Sequence, residues 1–217
     1  MIRTSDKCVF LSSLWMLIAL PHFLFANSEE SSRCLIIAGE RGIDRDVISN
    51  MAWRVRRDFR VPVRILNGES KTNSLLDEAV EIQRQFPREC VCFVALVQRP
   101  ATAVSTDRLV ITGGVAVLNI NSLRVGVDNS VTNTLFLGRV SKAVMSSIGR
   151  ILGLPPCRLP FCAMYPSRTE SEFDQKAENF CPLCLHAAID VLQAKGVEFL
   201  PRERPARGSH KPAPTTL

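Results

Sequence analysis

Four cysteines, Cys157, Cys162, Cys181 and Cys184, stand at C-x4-C-x18-C-x2-C spacing and constrain this chain more than any other feature. Each close pair offers two thiols from one turn, and the long insert lets the pairs converge, so the set can close around one tetrahedral zinc ion. In an exported chain the same thiols can instead form two disulfides. A third reading makes Cys181-Pro182-Leu183-Cys184, at a helix start, a reactive dithiol favoured by the helix dipole. Cys34, Cys90 and Cys92 lie in apolar strand runs, where cysteine acts as a small buried hydrophobe, and the last two are expected on one sheet face. The chain has eight cysteines, and setting aside Cys8 leaves an odd number, which internal disulfides cannot pair completely.

Immediately upstream, Ser146-Ser147-Ile148-Gly149-Arg150-Ile151-Leu152-Gly153-Leu154-Pro155-Pro156 has the spacing of H-E-x-x-H-x-x-G-x-x-H with only the glycine in place. With Arg139-Val140-Ser141-Lys142-Ala143 before it and Asn179-Phe180 before the C-x2-C pair, this region resembles the archaemetzincins, metzincin-like zinc metallopeptidases. The resemblance implies a structural zinc on Cys157, Cys162, Cys181 and Cys184, with Met164 as the Met-turn methionine. It places the catalytic histidine, glutamate, histidine and histidine at Ser146, Ser147, Arg150 and Pro156, where none of them is present. The implied fold is α/β: one metzincin-like domain with a mixed twisted sheet, a degenerate active-site helix, a Met-turn and a C-terminal helix.

Chemistry argues against hydrolysis without help from the family. A hydrolytic zinc needs about three imidazole or carboxylate ligands, an open position for water and a carboxylate to take its proton. The chain has three histidines, His22, His186 and His210, of which only His186 falls in the expected folded body, and no Asp or Glu lies between Gly138 and Thr169. Arg150 stays protonated, offers no lone pair and repels a dication. One helical turn from Ser146, it instead suggests a site for an anion such as a peptide carboxylate. His186 is a spare ligand for the cysteine set or, more simply, an exposed helix residue.

Of the net charge of +6, residues 1–26 carry +1 and residues 202–217 carry +3, so the body carries only +2. With one tyrosine and two tryptophans, the chain lacks the basic face and stacking aromatics of a nucleic-acid binder. Residues 1–26 place Arg3 and Lys7 before an apolar run from Cys8 to Phe25, the pattern of a signal peptide or an uncleaved N-terminal membrane anchor. A misplaced start codon, with Met16 one candidate, is the third possibility and makes the protein cytoplasmic. Residues 33–198 form the expected domain. The basic, Pro-rich tail, residues 199–217, reads as a disordered end or as a segment touching anionic lipid.

Within the body, Cys34 to Ala38 reads as a buried strand, 43–58 as an amphipathic helix, and Arg60 to Leu66 as a strand closed by Asn67-Gly68. A second helix runs from an Asn73 or Ser74 cap to about Gln85, and Cys90 to Val97 is again a buried strand. Two strands, Leu109 to Thr112 and Val115 to Ile120, flank Gly113-Gly114, and the resemblance makes the second the edge strand along a substrate cleft, where a peptide adds as a strand. Helices at about 137–152, ended by Gly153, and from Pro182 to about Ala194 complete the pattern.

These readings point to an exported or anchored archaemetzincin-like protein with one structural zinc and no catalytic one, a pseudoenzyme holding a peptide or protein partner in the old cleft. The alternatives are a peptidase with metal ligation rebuilt from His186 or Asp128, and a structural envelope protein.

Overall fold

The computed structural model describes residues 33–68, 74–86, 88–100, 108–124, 126 and 134–201. The N-terminal segment, most of the basic tail and Asp128 therefore lie outside the described residues. Strand β1 (Cys34–Glu40) is the apolar run expected of a central strand, and helix α1 (Arg45–Phe59) and strand β2 (Val63–Gly68) follow it as a βαβ unit. Asp44 caps α1 by accepting from the Asp46 N–H at 2.8 Å, with Val47, Ile48, Met51 and Val55 on its buried face. Arg60, expected to begin β2, instead ends α1 in a left-handed conformation, its N–H bonded to the Arg56 carbonyl. Leu200 holds it there: the Leu200 N–H donates to the Arg60 carbonyl, and an Arg60 guanidinium nitrogen donates back to the Leu200 carbonyl, each at 2.6 Å.

Helix α2 (Leu75–Arg84) starts at Ser74, whose hydroxyl accepts from the Asp77 N–H at 3.3 Å, and leads into β3 (Cys90–Val97). Strands β4 (Leu109–Thr112) and β5 (Val115–Asn119) form a hairpin closed by Gly113 and Gly114, both at positive φ, the conformation a two-residue turn of this hand demands. The sheet order is β2-β1-β3-β5-β4, parallel except for β4. The edge strand is thus β4, the first of the glycine-flanking pair, and not the second as expected. All five residues of β5 are buried and it is hydrogen-bonded to β3 and β4, whereas the four residues of β4 are only half-buried.

Two apolar layers sandwich the sheet. One joins Leu35, Ile37, Cys92, Val94 and Leu96 to α1 and to helices α3 (Thr134–Ile151) and α5 (Pro182–Ala194); the other joins Cys34, Ile36, Cys90, Phe93 and Ala95 to α2. Cys90 and Cys92 consequently face opposite layers, contrary to strict alternation. The register against β1 slips there, Cys34 pairing with Cys90 but Leu35 with Cys92, and such a bulge turns the next side chain over. A short helix α4 (Glu170–Gln175) was not expected, although Thr169 accepts from the Glu172 N–H at 3.1 Å in the T-x-x-E pattern of a helix start. No helix among the described residues is long and apolar enough to cross a membrane.

Candidate functional site: a cysteine cluster beside a cleft

Helix α3 positions both halves of the site, and its end is set by backbone chemistry. Gly153 takes φ +80°, the Leu154 N–H bonds to the Gly149 carbonyl at 2.9 Å, and the Gly153 N–H bonds to the Arg150 carbonyl at 3.0 Å. This Schellman closure satisfies carbonyls that the helix leaves free, and Pro155-Pro156 then carries the chain away as extended backbone. The following loop folds back on itself: the Cys157 N–H donates to the Met164 carbonyl at 3.1 Å, and the Ala163 N–H to the Asn179 carbonyl at 2.8 Å.

That closure brings Cys157 and Cys162 to the N-terminus of α5, where Cys181 caps the helix and Pro182 begins it. The four sulfurs of Cys157, Cys162, Cys181 and Cys184 lie within 4.8 Å of one another, and those of Cys157 and Cys181 are 3.8 Å apart. Four thiolates on one zinc at about 2.3 Å stand about 3.8 Å apart, so the set fits a tetrahedral ion. All four are free cysteines. The Cys162 sulfur accepts from the Met164 and Cys181 N–H groups, and the Cys157 sulfur from the Leu159 N–H, each at 3.4 Å; such bonds orient thiolates toward a metal.

Protonation tells the same story. The Cys184 backbone N–H, with neighbouring thiols, holds the Cys181 thiol below its ordinary range, while burial and the other sulfurs push Cys184 up, and burial raises Cys162. Four thiolates so close need a cation to coexist, which a dication supplies. With four protein ligands, a zinc ion here has no open position for water, so it crosslinks the loop to α5 rather than activating a nucleophile. His186 takes no part: its side chain is 79 % exposed on α5 and faces Asp190 one turn on at 3.7 Å. Among the described residues the four cysteines are the only group arranged to hold a metal.

Beside the cluster lies a cleft of about 680 Å³ between α3, the β4 edge and the Met-turn loop. Ser146, Arg150 and Pro156 line it, as do Met164 and Tyr165, so three of the four positions matched to catalytic residues meet on one wall. The fourth does not: Ser147 is fully buried and its hydroxyl donates to the Ala143 carbonyl at 2.7 Å. Among the described residues, none that line it is a histidine, Asp or Glu. Sequence reading missed Arg108, Phe173 and Lys176 as cleft residues, because they come from a strand entrance and the unforeseen α4 region. Lys176 is buried, donates to the Ala163 carbonyl at 3.0 Å and sits 4.7 Å from the Phe173 ring; burial lowers its pKa to about 8.

The floor of this region is packed against α3 at Gly149. A side chain there collides with the Met164 sulfur and comes within 2.9 Å of the Phe180 ring, and Phe180 is itself held edge-on by Phe59 at 5.4 Å. Gly149→Ala is expected to lower stability by about 1–3 kcal/mol through this overpacking, read by denaturant unfolding; an unchanged midpoint would show that Met164 yields freely.

The profile of Peptidase family M54 matches residues 57–189. The archaemetzincin of Halobacterium salinarum (strain ATCC 29341 / DSM 671 / R1) is 41 % identical over 59 residues, 27 % of this chain and 34 % of that protein. The aligned chain thus spans about a third of the curated relative's length. Among solved structures, archaemetzincin from Methanopyrus kandleri superposes with a TM-score of 0.59 at 21 % identity, covering 76 % of this chain and 98 % of that one. A zinc-dependent peptidase from Methanocorpusculum labreanum gives a TM-score of 0.55 at 15 % identity, over 71 % and 99 % of the two chains. Archaemetzincin from Archaeoglobus fulgidus, complexed with malonate, gives 0.51 at 20 % identity, over 70 % and 98 %. These likenesses establish the expected α/β fold.

Proposed function

Since the chain belongs to Peptidase family M54 but carries Ser146, Ser147, Arg150 and Pro156 at the matched catalytic positions, we propose that it is a non-proteolytic member that binds a peptide or protein partner in its cleft. The observation that carries this reading is the cleft wall itself, where Arg150 stands in place of a metal ligand and, among the described residues, no lining side chain offers an imidazole or carboxylate. A guanidinium cannot coordinate zinc, and among the described cleft residues no carboxylate stands ready to take a proton from bound water. The four-cysteine zinc then serves folding alone, holding the Met-turn loop to α5 beside the cleft. The edge strand β4, with one side unpaired among the described residues, supports docking of an extended peptide. The apolar run from Cys8 to Phe25, read as a signal peptide or anchor, supports a location outside the cytoplasm or at a membrane, and a misplaced start codon would instead leave the protein cytoplasmic.

Zinc analysis of the purified protein, together with hydrolysis assays on unstructured peptides, tests the reading. One zinc per chain and no chelator-sensitive cleavage are expected. Two zinc ions per chain with cleavage abolished by a chelator would establish rebuilt metal ligation and overturn it.

A further inference from the structure

Resting on the reading that the cleft binds a peptide, the side chains within it specify which part of a peptide it recognises. Among the described residues, its charged lining side chains are Arg108, Arg150 and Lys176, all cationic. They are not equivalent. Arg108 is paired with Glu170 at the rim, and Lys176 is spent on the Ala163 carbonyl and the Phe173 ring. Arg150 is exposed to the cleft and, among the described residues, forms no ion pair or side-chain hydrogen bond. Ser146, one helical turn earlier on the same face, adds a hydroxyl donor beside it.

We infer that Arg150 and Ser146 form a carboxylate seat, and that the ligand is a peptide whose free C-terminal carboxylate docks there while an apolar side chain fills the cleft beside it. Charge complementarity selects an anion, since a guanidinium fork binds a carboxylate through paired charge-assisted hydrogen bonds. The size and lining of the cleft select a peptide over a small free anion. Leu109, Leu118, Leu123, Leu154 and Met164 set apolar side chains along a cleft of about 680 Å³ that a bare anion leaves unfilled. Lys176, which also lines the cleft and has no carboxylate ion pair among the described residues, adds a second cationic group to it.

The test uses a dye-labelled pool of hexapeptides ending in Leu, supplied as the free acid, as the C-terminal amide, and as the amide with one internal Glu. Binding is followed by fluorescence anisotropy on the full chain and on Arg150→Ala and Arg150→Lys. The free acid is expected to bind the wild type at least about tenfold tighter than the amide, the gap closing in Arg150→Ala and partly returning in Arg150→Lys. Because Arg150 is exposed, melting temperatures of the variants should match the wild type. Equal binding of acid and amide overturns the carboxylate seat while leaving peptide binding standing. An internal-Glu amide that binds as tightly as the free acid overturns the C-terminal assignment. Absence of binding by any pool overturns both the seat and the peptide-binding reading.

Discussion

Replacing Cys184 with serine is expected to yield a chain that retains no zinc and fails to reach the native fold. A structural zinc contributes on the order of 10 kcal/mol or more in small metal-binding units, comparable to the whole stability of a domain. The dependence is steep here because the cluster joins a loop with little regular structure to α5, and Met164 and Phe180 then pack against Gly149 of α3. Losing the ion should therefore loosen the cleft floor as well as the loop. Zinc content by atomic absorption and far- and near-UV circular dichroism provide the readout, with Ser146→Ala as the variant expected to fold normally. A soluble Cys184→Ser protein with native near-UV signal and no zinc would show that the apolar core alone suffices. Chelation of the wild type should reproduce the loss, and added zinc should restore it.

Asp174→Ala is expected to destabilise the protein by about 3 kcal/mol, because it removes the carboxylate hydrogen-bonded to the buried Arg139 guanidinium and leaves it facing Glu170 at 4.0 Å. Arg139, nearly inaccessible on α3, donates two 2.6 Å hydrogen bonds to the Asp174 carboxylate and one of 3.1 Å to the Leu123 carbonyl. Lys142, also on α3, donates to the Asp174 main-chain carbonyl, so α4 is held to α3 by two cations. The pair has a pH signature. Hydrogen bonding to Arg139 lowers the Asp174 pKa below the ordinary carboxylate value. Its contribution is therefore complete above the unfolded value near 4 and is lost as pH falls through the lower folded value. Urea midpoints of wild type and Asp174→Ala should differ most at neutral pH and converge in strong acid. A gap that persists unchanged to the lowest pH at which the wild type folds would assign the effect to something other than this charge pair.

The elements that the sequence made legible are those whose cause is local. A run such as Cys34 to Ala38, the helical repeat of Val47, Ile48, Met51 and Val55, and Gly153 at a helix end each carry their own instruction in spacing or backbone freedom. Helix α4 carried one too, in Thr169 and Glu172, but six residues are too few for an amphipathic repeat to stand out. The readings that failed depended on partners far away in the chain. Arg60 is left-handed because Leu200, 140 residues later, exchanges hydrogen bonds with it. Cys90 and Cys92 part company because their neighbour is β1, whose register slips at Cys34.

The cleft divides in the same way. The spacing of the cysteines and the residues at the matched catalytic positions could be read one letter at a time, because ligand chemistry belongs to side-chain type. That Ser147 turns inward while Ser146 and Arg150 face the cleft, and that Arg108 and Lys176 join them, follows only from packing. Which strand forms the edge was likewise open, since Leu109 to Thr112 and Val115 to Asn119 are both apolar and a hairpin can enter a sheet from either side. The sequence by itself determined the four cysteines able to hold a metal, the residue types at the matched positions and most elements, because these are properties of residue type and short-range period. Tertiary structure alone decided the edge, the faces and the company each side chain keeps, because these depend on contacts that no local pattern encodes.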